Sequence, residues 1–363
     1  MSKENLIRQH AEHAFIKELQ YLEQYDEGPK PENWKLSPRS VVQYVAGGTM
    51  ADGFEIQAKY FGNRRLIELA VATLVTDRAL LLTGIPGTAK TWLSEHMAAA
   101  ISGDSTLVVQ GTAGTAEDAI RYGWNYARLL SEGPSEAALV PSPVMRAMQS
   151  GKIVRVEELS RMPAEVQDAL ITILSEKTLS IPELGQEIQA VKGFNLIATA
   201  NSRDQGVNEL SSALKRRFNS VVMPLPETLE EEVHIVQTRV AQLGESLQLP
   251  AGAETAAEAI KTLVTIFREL RSGKTADGKL KVKSPGSTLS PAEAISVITN
   301  GQALAAYFGD GTIRPRDIAA GLQGAIIKDP RQDTLIWSEY LETIVRERKG
   351  WEEYYQAATE LLK

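Results

Sequence analysis

The chain has 363 residues, of which 43% are hydrophobic and 23% are charged, and its formal net charge is −7. The length predicts two domains with a sizeable core, and the acidic balance provides no overall basic field that would recruit nucleic acid. Cysteine is absent, which excludes disulfides and thiolate chemistry. Because the sequence has neither an apolar signal segment nor a run of about 18 apolar residues, we expect a cytoplasmic protein without membrane insertion.

The first 38 residues read as an extension of the main domain. Residues 3–25 place apolar side chains at helical spacing, and the prolines and glycine of residues 26–38 end this helix. Residues 39–60 contain three glycines and predict irregular structure. Residues 64–75 predict a helix that leads into the first strand.

Short apolar runs alternate with helical patterns in the next part of the chain, which predicts a parallel sheet with helices on both faces. Pro163 opens one helix at its first position, and residues 179–191 predict a β-hairpin. The 41 residues from 111 to 151 exceed the dozen or so that a crossover helix needs, so they include an insertion. The predicted strands are residues 80–82, 106–111, 152–158, 194–201 and 220–226.

After residue 227 the helical patterns continue without any strand between them. They predict a small α-helical domain, followed by a helical tail rich in tryptophan and tyrosine. The predicted helices are residues 228–246, 254–271, 290–307 and 315–328. The predicted organisation is an extension at 1–38, an α/β domain at 39–226, a helical lid at 227–330 and a tail at 331–363.

The segment GIPGTAKT connects the first strand to a helix and has the composition of a phosphate-binding loop. In such a loop the backbone N–H groups face an anion, Lys90 reaches the β- and γ-phosphates, and the Thr91 hydroxyl binds Mg²⁺. Ala89 stands where the usual spacing has a second glycine. We therefore expect φ at Ala89 to be negative or nearly so, with Gly87 supplying the permissive geometry. The alternative is a strand-to-helix turn with an incidental Lys-Thr pair. The predicted nucleotide-binding residues are Gly84, Ile85, Pro86, Gly87, Thr88, Ala89, Lys90, Thr91 and Trp92.

Polar residues follow two further predicted strands. Glu157 and Glu158 end the strand IVRVEE, where an NTPase uses the first acid to hold Mg²⁺ and the second to deprotonate water. A solvated strand end or a helix cap is the alternative reading of this pair. Asn201 ends the strand FNLIATAN and is either a sensor of the γ-phosphate and attacking water or a turn residue.

A basic cluster, Lys215, Arg216 and Arg217, precedes the fifth strand. Such clusters are often solvated surface. Its position also suits an arginine finger that serves a neighbouring subunit.

With these motifs in this order, the chain resembles the AAA+ ATPases, and among them the MoxR family, over residues 40–330. The family's G-x-P-G-x-A-K-[ST] loop matches GIPGTAKT, and its A-T-x-N sensor matches ATAN. Its D-E-[IL]-x-R-x-P segment matches EELSRMP, with Glu157 in place of Asp, and its D-R-F matches RRF, which puts the finger at Arg217. The family's insertion and hairpin also match residues 111–151 and 179–191.

The resemblance implies an αβα core with a helical lid that hydrolyses ATP to ADP and phosphate with Mg²⁺. It implies a ring homo-oligomer, a hexamer, that remodels or activates partner proteins, often together with a protein carrying a von Willebrand factor A domain. The family's sensor arginine is absent, because Ala292 stands at its position, and Arg314 and Arg316 are the candidates to replace it. By this resemblance the catalytic residues are Glu158, Asn201 and Arg217, and Thr91 and Glu157 hold Mg²⁺, Glu157 through water.

Two other functions remain open at this point. A DNA-remodelling motor is disfavoured by the net acidity and by the lack of a recognisable DNA-binding module, and a DNA-stimulated, salt-sensitive activity would support it. A nucleotide-gated scaffold with little turnover is kept open by the replacements at Glu157 and Ala292. A phosphate-release assay distinguishes the scaffold from the hydrolase.

Overall fold

A computed structural model describes residues 6–201, 208–247, 249 and 257–362. The chain forms two compact units, which we describe separately. The first, the α/β unit, consists of Gln9–Ile85 and Ala89–Met223. The second, the helical unit, consists of Pro224–Lys363 with Met1–Arg8 and Pro86–Thr88. The predicted domain boundaries themselves stay predictions.

The strands all lie in the α/β unit. In chain order they are β1 Gly48–Thr49, β2 Glu55–Ile56, β3 Ala79–Gly84, β4 Val108–Gln110, β5 Tyr122–Trp124, β6 Leu139–Pro141, β7 Ile153–Glu157, β8 Thr178–Ile181, β9 Gln186–Gln189, β10 Asn195–Asn201 and β11 Phe218–Val222.

The helices occur in both units. Those of the α/β unit are α1 Ala11–Ala14, α2 Ile16–Tyr25, α3 Pro38–Ala46, α4 Arg64–Val75, α5 Lys90–Ser102, α6 Tyr126–Glu132, α7 Pro143–Ser150, α8 Ala164–Glu176 and α9 Ser212–Lys215. Those of the helical unit are α10 Leu229–Ser246, α11 Ala257–Ser272, α12 Pro291–Phe308, α13 Pro315–Ile326, α14 Asp333–Tyr340 and α15 Glu352–Glu360, with a π-helical turn at Leu341–Val345.

A five-stranded parallel sheet in the order β11-β3-β10-β7-β4 forms the centre of the α/β unit. Its three central strands, β3, β10 and β7, are almost wholly buried, as expected for a parallel sheet covered on both faces. The register pairs Asn201 of β10 with Gly84 of β3, and Gln110 of β4 with Glu157 of β7. The carboxyl ends of four strands therefore lie along one edge, and the predicted αβα architecture is confirmed.

The two faces of the sheet have separate hydrophobic cores. One core contains α7 and α8 side chains, including Met148 and Leu170. The other contains Leu93 and Met97 of α5, and residues of the N-terminal extension such as Trp34 pack into it. The extension is thus part of the α/β unit's core.

Three local predictions about the first 60 residues and the helix at Pro163 are wrong. Residues 39–60 are not wholly irregular, because Pro38 occupies the first turn of α3, where its missing N–H has no cost, and Ser37 caps that helix. The predicted helix at 3–25 begins at Ala11 and is interrupted at Phe15, and its residues 3–5 lie outside the described residues. Pro163 is the N-cap residue, and Ala164 opens α8.

The predicted strand at 220–226 is β11 Phe218–Val222 instead, and it ends before Pro224 and Pro226, which have no N–H for the ladder. The remaining elements follow the predictions closely. The hairpin β8–β9 lies within residues 179–191 except at its first residue, and the insertion between β4 and β7 contains β5, α6 and β6 ahead of the crossover helix α7. In the helical unit α10, α11, α12 and α13 match the four predicted helices to within a few residues. The prediction that one of these helices starts at 254 concerns residues 254–256, which are outside the described ranges.

The tail shares the core of the helical unit. Trp337 and Tyr340 of α14 are buried against residues such as Phe267 of α11. Burial and the neighbouring Glu269 carboxylate raise the pKa of Tyr340, so its phenol stays protonated and donates to Glu269 Oε2 at 2.6 Å. Arg348 holds the other oxygen of Glu269 at 2.5 Å. In the ranges that the structure describes, no helix is both long and apolar enough to cross a membrane.

We expect Tyr340→Phe to lower the free energy of unfolding by about 1–3 kcal/mol, because it leaves an oxygen of the buried Glu269 carboxylate short of a donor. Urea unfolding followed by circular dichroism measures this change. Tyr355→Phe is the matched control, since it removes a phenol that donates to the exposed Glu342 at 2.7 Å, and it should leave stability nearly unchanged. Equal effects of the two substitutions would contradict the role of Glu269.

Candidate functional site

Apart from Arg217, the predicted site residues of the α/β unit lie at the carboxyl ends of three adjacent strands. The loop that follows Gly84 leaves β3, Asn201 ends β10, and Glu157 ends β7, with Glu158 directly after it. In open α/β sheets this edge is where ligands bind. The structure therefore brings the loop, the acidic pair and Asn201 together.

The loop has three residues with positive φ. Gly84 has φ of 152°, Gly87 has φ of 80°, and Ala89 has φ of 63° and ψ of 21°. The prediction of a negative φ at Ala89 is wrong: the left-handed geometry that a glycine would supply is kept at the N-cap of α5, and alanine adopts it with strain.

Lys90 points back into the loop from the first position of α5. Its side chain is buried, and Nζ donates to the carbonyl oxygens of Gly84 at 3.1 Å and Ile85 at 2.8 Å. The Gly84 and Ile85 carbonyls thus hold an ammonium group beside the amino end of a 13-residue helix. A cation at this position, next to the positive end of the helix dipole, suits a phosphate group.

Glu157 contacts α5 through Thr91 and Ser94. Glu157 is only 2% exposed, and its Oε2 accepts from Thr91 Oγ1 at 2.8 Å and from Thr199 Oγ1 at 2.7 Å. Its Oε1 accepts from Ser94 Oγ at 2.5 Å. Thr91 is exposed, and its hydroxyl donates its one hydrogen to Glu157. The lone pairs of the hydroxyl oxygen are therefore available to a cation. Hydroxyl and carboxylate oxygens are the ligands that Mg²⁺ prefers, so these residues fit that ion.

Arg155 is a member of the site that sequence reasoning missed. It lies two residues before Glu157 on β7 and therefore shares its face of the sheet. Its guanidinium donates to Glu157 Oε1 from Nη2 at 2.8 Å and from Nε at 3.2 Å. The available signal was a charged residue inside an otherwise apolar strand, which requires a buried partner.

Glu158 and Asn201 contact each other directly. Asn201 Nδ2 donates to both carboxylate oxygens of Glu158, at 2.8 and 3.1 Å. The Glu158 backbone has φ of 55° and ψ of 45°, and its N–H donates to Thr199 Oγ1 at 3.0 Å. A Cβ at Gly111 would lie 2.3 Å from the Glu158 carbonyl oxygen, so only glycine fits at the end of β4. The second acid of the pair is therefore held in one orientation from several sides.

Trp92 belongs to an aromatic cluster that joins α5 to the N-terminal extension. Its ring lies 4.3 Å from the His96 ring and 6.4 Å from the Phe15 ring. His96 Nδ1 also contacts the Tyr44 hydroxyl at 2.8 Å. Burial, together with neighbouring carboxylates of which Glu18 contributes most, raises the pKa of Tyr44, so the phenol stays neutral. The extension therefore packs beside the first turn of α5.

Arg217 lies at the opposite edge of the sheet from the loop. It immediately precedes β11, and its carbonyl accepts from the N–H of Ala79, the first residue of β3. β3 runs about 16 Å from there to the loop. The guanidinium donates to Ser175 Oγ at 2.5 Å and to the Ala213 carbonyl. Arg217 thus does not join the other predicted catalytic residues within the α/β unit.

The candidates for a sensor arginine lie in the helical unit. Ala292 is in the first turn of α12, whose N-cap Ser290 forms a capping box with Glu293. Arg314 precedes α13 and contacts Asp310 at 2.5 Å, while Arg316 lies 3.8 Å from Asp317. A sensor role for either arginine stays a prediction.

Two family models match the chain, one over much of the α/β unit and one over most of the helical unit. Residues 79–218 match an AAA domain of the dynein-related subfamily. Residues 230–360 match the YehL-like AAA+ ATPase C-terminal domain. The uncharacterized protein YehL of Escherichia coli K12 is 39% identical over 98% of this chain and 99% of its own length.

The chain belongs to the YehL-like AAA+ ATPases. This confirms the predicted resemblance to AAA+ ATPases of the MoxR type and accounts for the helical unit as the family's own C-terminal domain. The chain is also 29% identical to midasin of Dictyostelium discoideum, over 45% of this chain and 3% of that protein. Among solved structures, NtrX from Brucella abortus in complex with ADP has a TM-score of 0.50 at 13% identity, covering 81% of this chain and 62% of its own, which supports the fold alone.

We expect Ala89→Gly to raise the free energy of unfolding by about 0.5–1 kcal/mol. Glycine removes the left-handed strain of alanine, and the larger entropy of the unfolded chain offsets part of that gain. Thermal and urea unfolding measure the change. The matched control is Ala100→Gly in the same helix, where the backbone is right-handed and glycine should destabilise by about 1 kcal/mol. A lower free energy of unfolding in Ala89→Gly than in wild type would contradict the claim that Ala89 is strained.

Proposed function

We propose that the protein hydrolyses ATP to ADP and phosphate in the presence of Mg²⁺. The observation that carries this proposal is the convergence of Lys90, the Thr91–Glu157 pair and the Glu158–Asn201 pair on one edge of the parallel sheet. These are the groups that phosphoryl transfer to water needs: a phosphate cradle, oxygen ligands for the metal, a base and a residue that orients it. The proposed nucleotide-binding residues are Gly84, Ile85, Pro86, Gly87, Thr88, Ala89, Lys90, Thr91 and Trp92.

In the proposed mechanism Lys90 leaves its loop carbonyls to contact the β- and γ-phosphates, and the loop N–H groups hold the remaining oxygens. Thr91 and Glu157 are the residues that would hold Mg²⁺, Glu157 through water. When bound there, the ion would supply positive charge that neutralises the phosphates. The Glu158 carboxylate accepts a proton from the attacking water, and Asn201 orients that carboxylate and the water. The water oxygen bonds to the γ-phosphorus as the bond to the β,γ-bridging oxygen breaks.

The position of Arg217 favours a ring assembly. It lies about 16 Å along β3 from the loop, so it serves an active site only if that site belongs to a neighbouring subunit. A guanidinium supplied by a neighbour stabilises the charge of the transferring phosphoryl group. We propose a homo-oligomeric ring, with six subunits by the MoxR resemblance.

The remodelling or activation of a partner protein is proposed on family resemblance alone. A protein with a von Willebrand factor A domain is the candidate partner on the same ground. A Glu158→Gln variant held in the ATP state is the form best suited to retain such a client. DNA stimulation of phosphate release would instead support a DNA-remodelling motor.

We expect Glu158→Gln to bind ATP but to hydrolyse it at least ~10²-fold more slowly, because glutamine keeps the shape of the base and cannot accept the proton. Equilibrium binding and steady-state phosphate release measure the two effects. Glu165→Gln, at an exposed position of α8, is the matched control and should leave both unchanged. Lys90→Ala should abolish binding itself. Wild-type protein that binds ATP and releases no phosphate would instead indicate a nucleotide-gated scaffold.

We expect Arg217→Ala to keep ATP binding and to lower turnover sharply, by up to ~10³-fold if the finger acts as in other phosphoryl-transfer enzymes. Arg216→Ala, at the exposed neighbouring position, should do less. Mixing Arg217→Ala with Lys90→Ala protein should partly restore turnover, since some sites then combine an intact loop with an intact finger. Absence of any restoration in demonstrated hetero-oligomers would refute the finger's action between subunits.

A further inference from the structure

The guanidinium of Arg155 is a buried cation at the back of the proposed metal site. The residue is 6% exposed and its partner Glu157 is 2% exposed. Besides its two bonds to Glu157 Oε1, the guanidinium donates to Ser94 Oγ at 3.1 Å, to the Ser105 carbonyl at 3.0 Å and to the Thr91 carbonyl at 3.3 Å. Arg155 therefore contacts both Glu157 and the helix that carries Thr91.

The two oxygens of Glu157 have different partners. Oε1 is held by Arg155 and Ser94, whereas Oε2 accepts from Thr91 and Thr199. Because Arg155 and Ser94 hold Oε1, the carboxylate is oriented with Oε2 facing the Thr91 hydroxyl. Glutamate has one more rotatable bond than aspartate, so an unrestrained carboxylate at position 157 would sample more orientations.

We propose that Arg155 is a positioning residue for the metal site, which it serves by holding Glu157 Oε2 on the Thr91 hydroxyl. The Thr91 hydroxyl then keeps donating its hydrogen bond to Glu157. Its oxygen lone pairs therefore point away from Glu157, toward the position proposed for the cation. Arg155 acts through Glu157 and Thr91 and does not touch nucleotide or metal. This inference rests on the proposed function, because it concerns the Mg²⁺ that accompanies ATP.

A purely structural role is the competing explanation. A buried ion pair that is broken by removing one partner destabilises a protein strongly, by about 3–5 kcal/mol, whatever its function. The two roles differ in the dependence on Mg²⁺. Loss of a residue that orients a metal ligand typically lowers metal affinity by about 10- to 100-fold. Loss of a structural residue alone affects folding, or weakens nucleotide binding equally with and without the ion.

The experiment compares wild type, Arg155→Met and Arg155→Lys by the binding of β,γ-imido-ATP, first in EDTA and then in a titration with Mg²⁺. We expect Arg155→Met to keep the affinity in EDTA within about twofold and to raise the Mg²⁺ concentration for half-saturation about 10-fold. Arg155→Lys keeps the charge but loses the planar fork, so we expect a smaller rise, about threefold. Val154→Ala is the matched control, because it lowers stability from the same strand while packing into the core on the opposite face of the sheet.

The wild-type measurement separates the two proposals: failure of wild type to bind the analogue refutes the proposed function, whereas the variants test Arg155. An unchanged Mg²⁺ requirement in Arg155→Met overturns the positioning role, as does an equal loss of affinity with and without Mg²⁺. If Arg155→Met shows no cooperative thermal unfolding, Arg155→Lys decides. A raised Mg²⁺ requirement in Arg155→Lys supports the role, and an unchanged one overturns it.

Discussion

The buried carboxylate of Glu157 is the interaction on which the candidate site depends. It receives hydrogen bonds from Thr91 and Ser94 of α5, from Thr199 of β10 and from Arg155 of β7. A buried carboxylate is stable only when its oxygens accept hydrogen bonds. Movement of α5 away from the sheet would break the bonds from Thr91 and Ser94 and leave the buried charge under-bonded, which is energetically unfavourable. The first turn of the helix, and with it the end of the glycine-rich loop, is therefore fixed by the same carboxylate that is proposed to hold Mg²⁺.

The proposed catalytic residues lie at two opposite edges of the parallel sheet. The loop, Glu158 and Asn201 lie at the carboxyl edge, whereas Arg217 lies at the amino edge. Because the strands are parallel, no rotation of a side chain brings these edges together. Under the proposed function one chain thus lacks an arginine at its own carboxyl edge, and a neighbouring subunit would supply it.

The N-terminal extension is part of the surroundings of the site. Phe15, Tyr44 and His96 form an aromatic cluster with Trp92, the residue that follows Thr91. Lys59 lies 4.2 Å from the centre of the Phe15 ring and pairs with Glu18. These contacts give the extension a defined position against α5.

Local pattern alone determined much of this protein: the alternation of strands and helices, the loop ending in Lys90 and Thr91, the acidic strand end and Asn201. These features depend on residues close together in the chain, where periodicity and turn composition carry the information. Only the tertiary structure decided three others: the left-handed backbone at Ala89, the helix that Pro38 opens, and the buried partners of Arg155. Arg155 meets Thr91 and Ser94 more than 60 residues away in the chain. The partner of a buried charge is chosen by packing across the sheet, and no spacing within one strand specifies it.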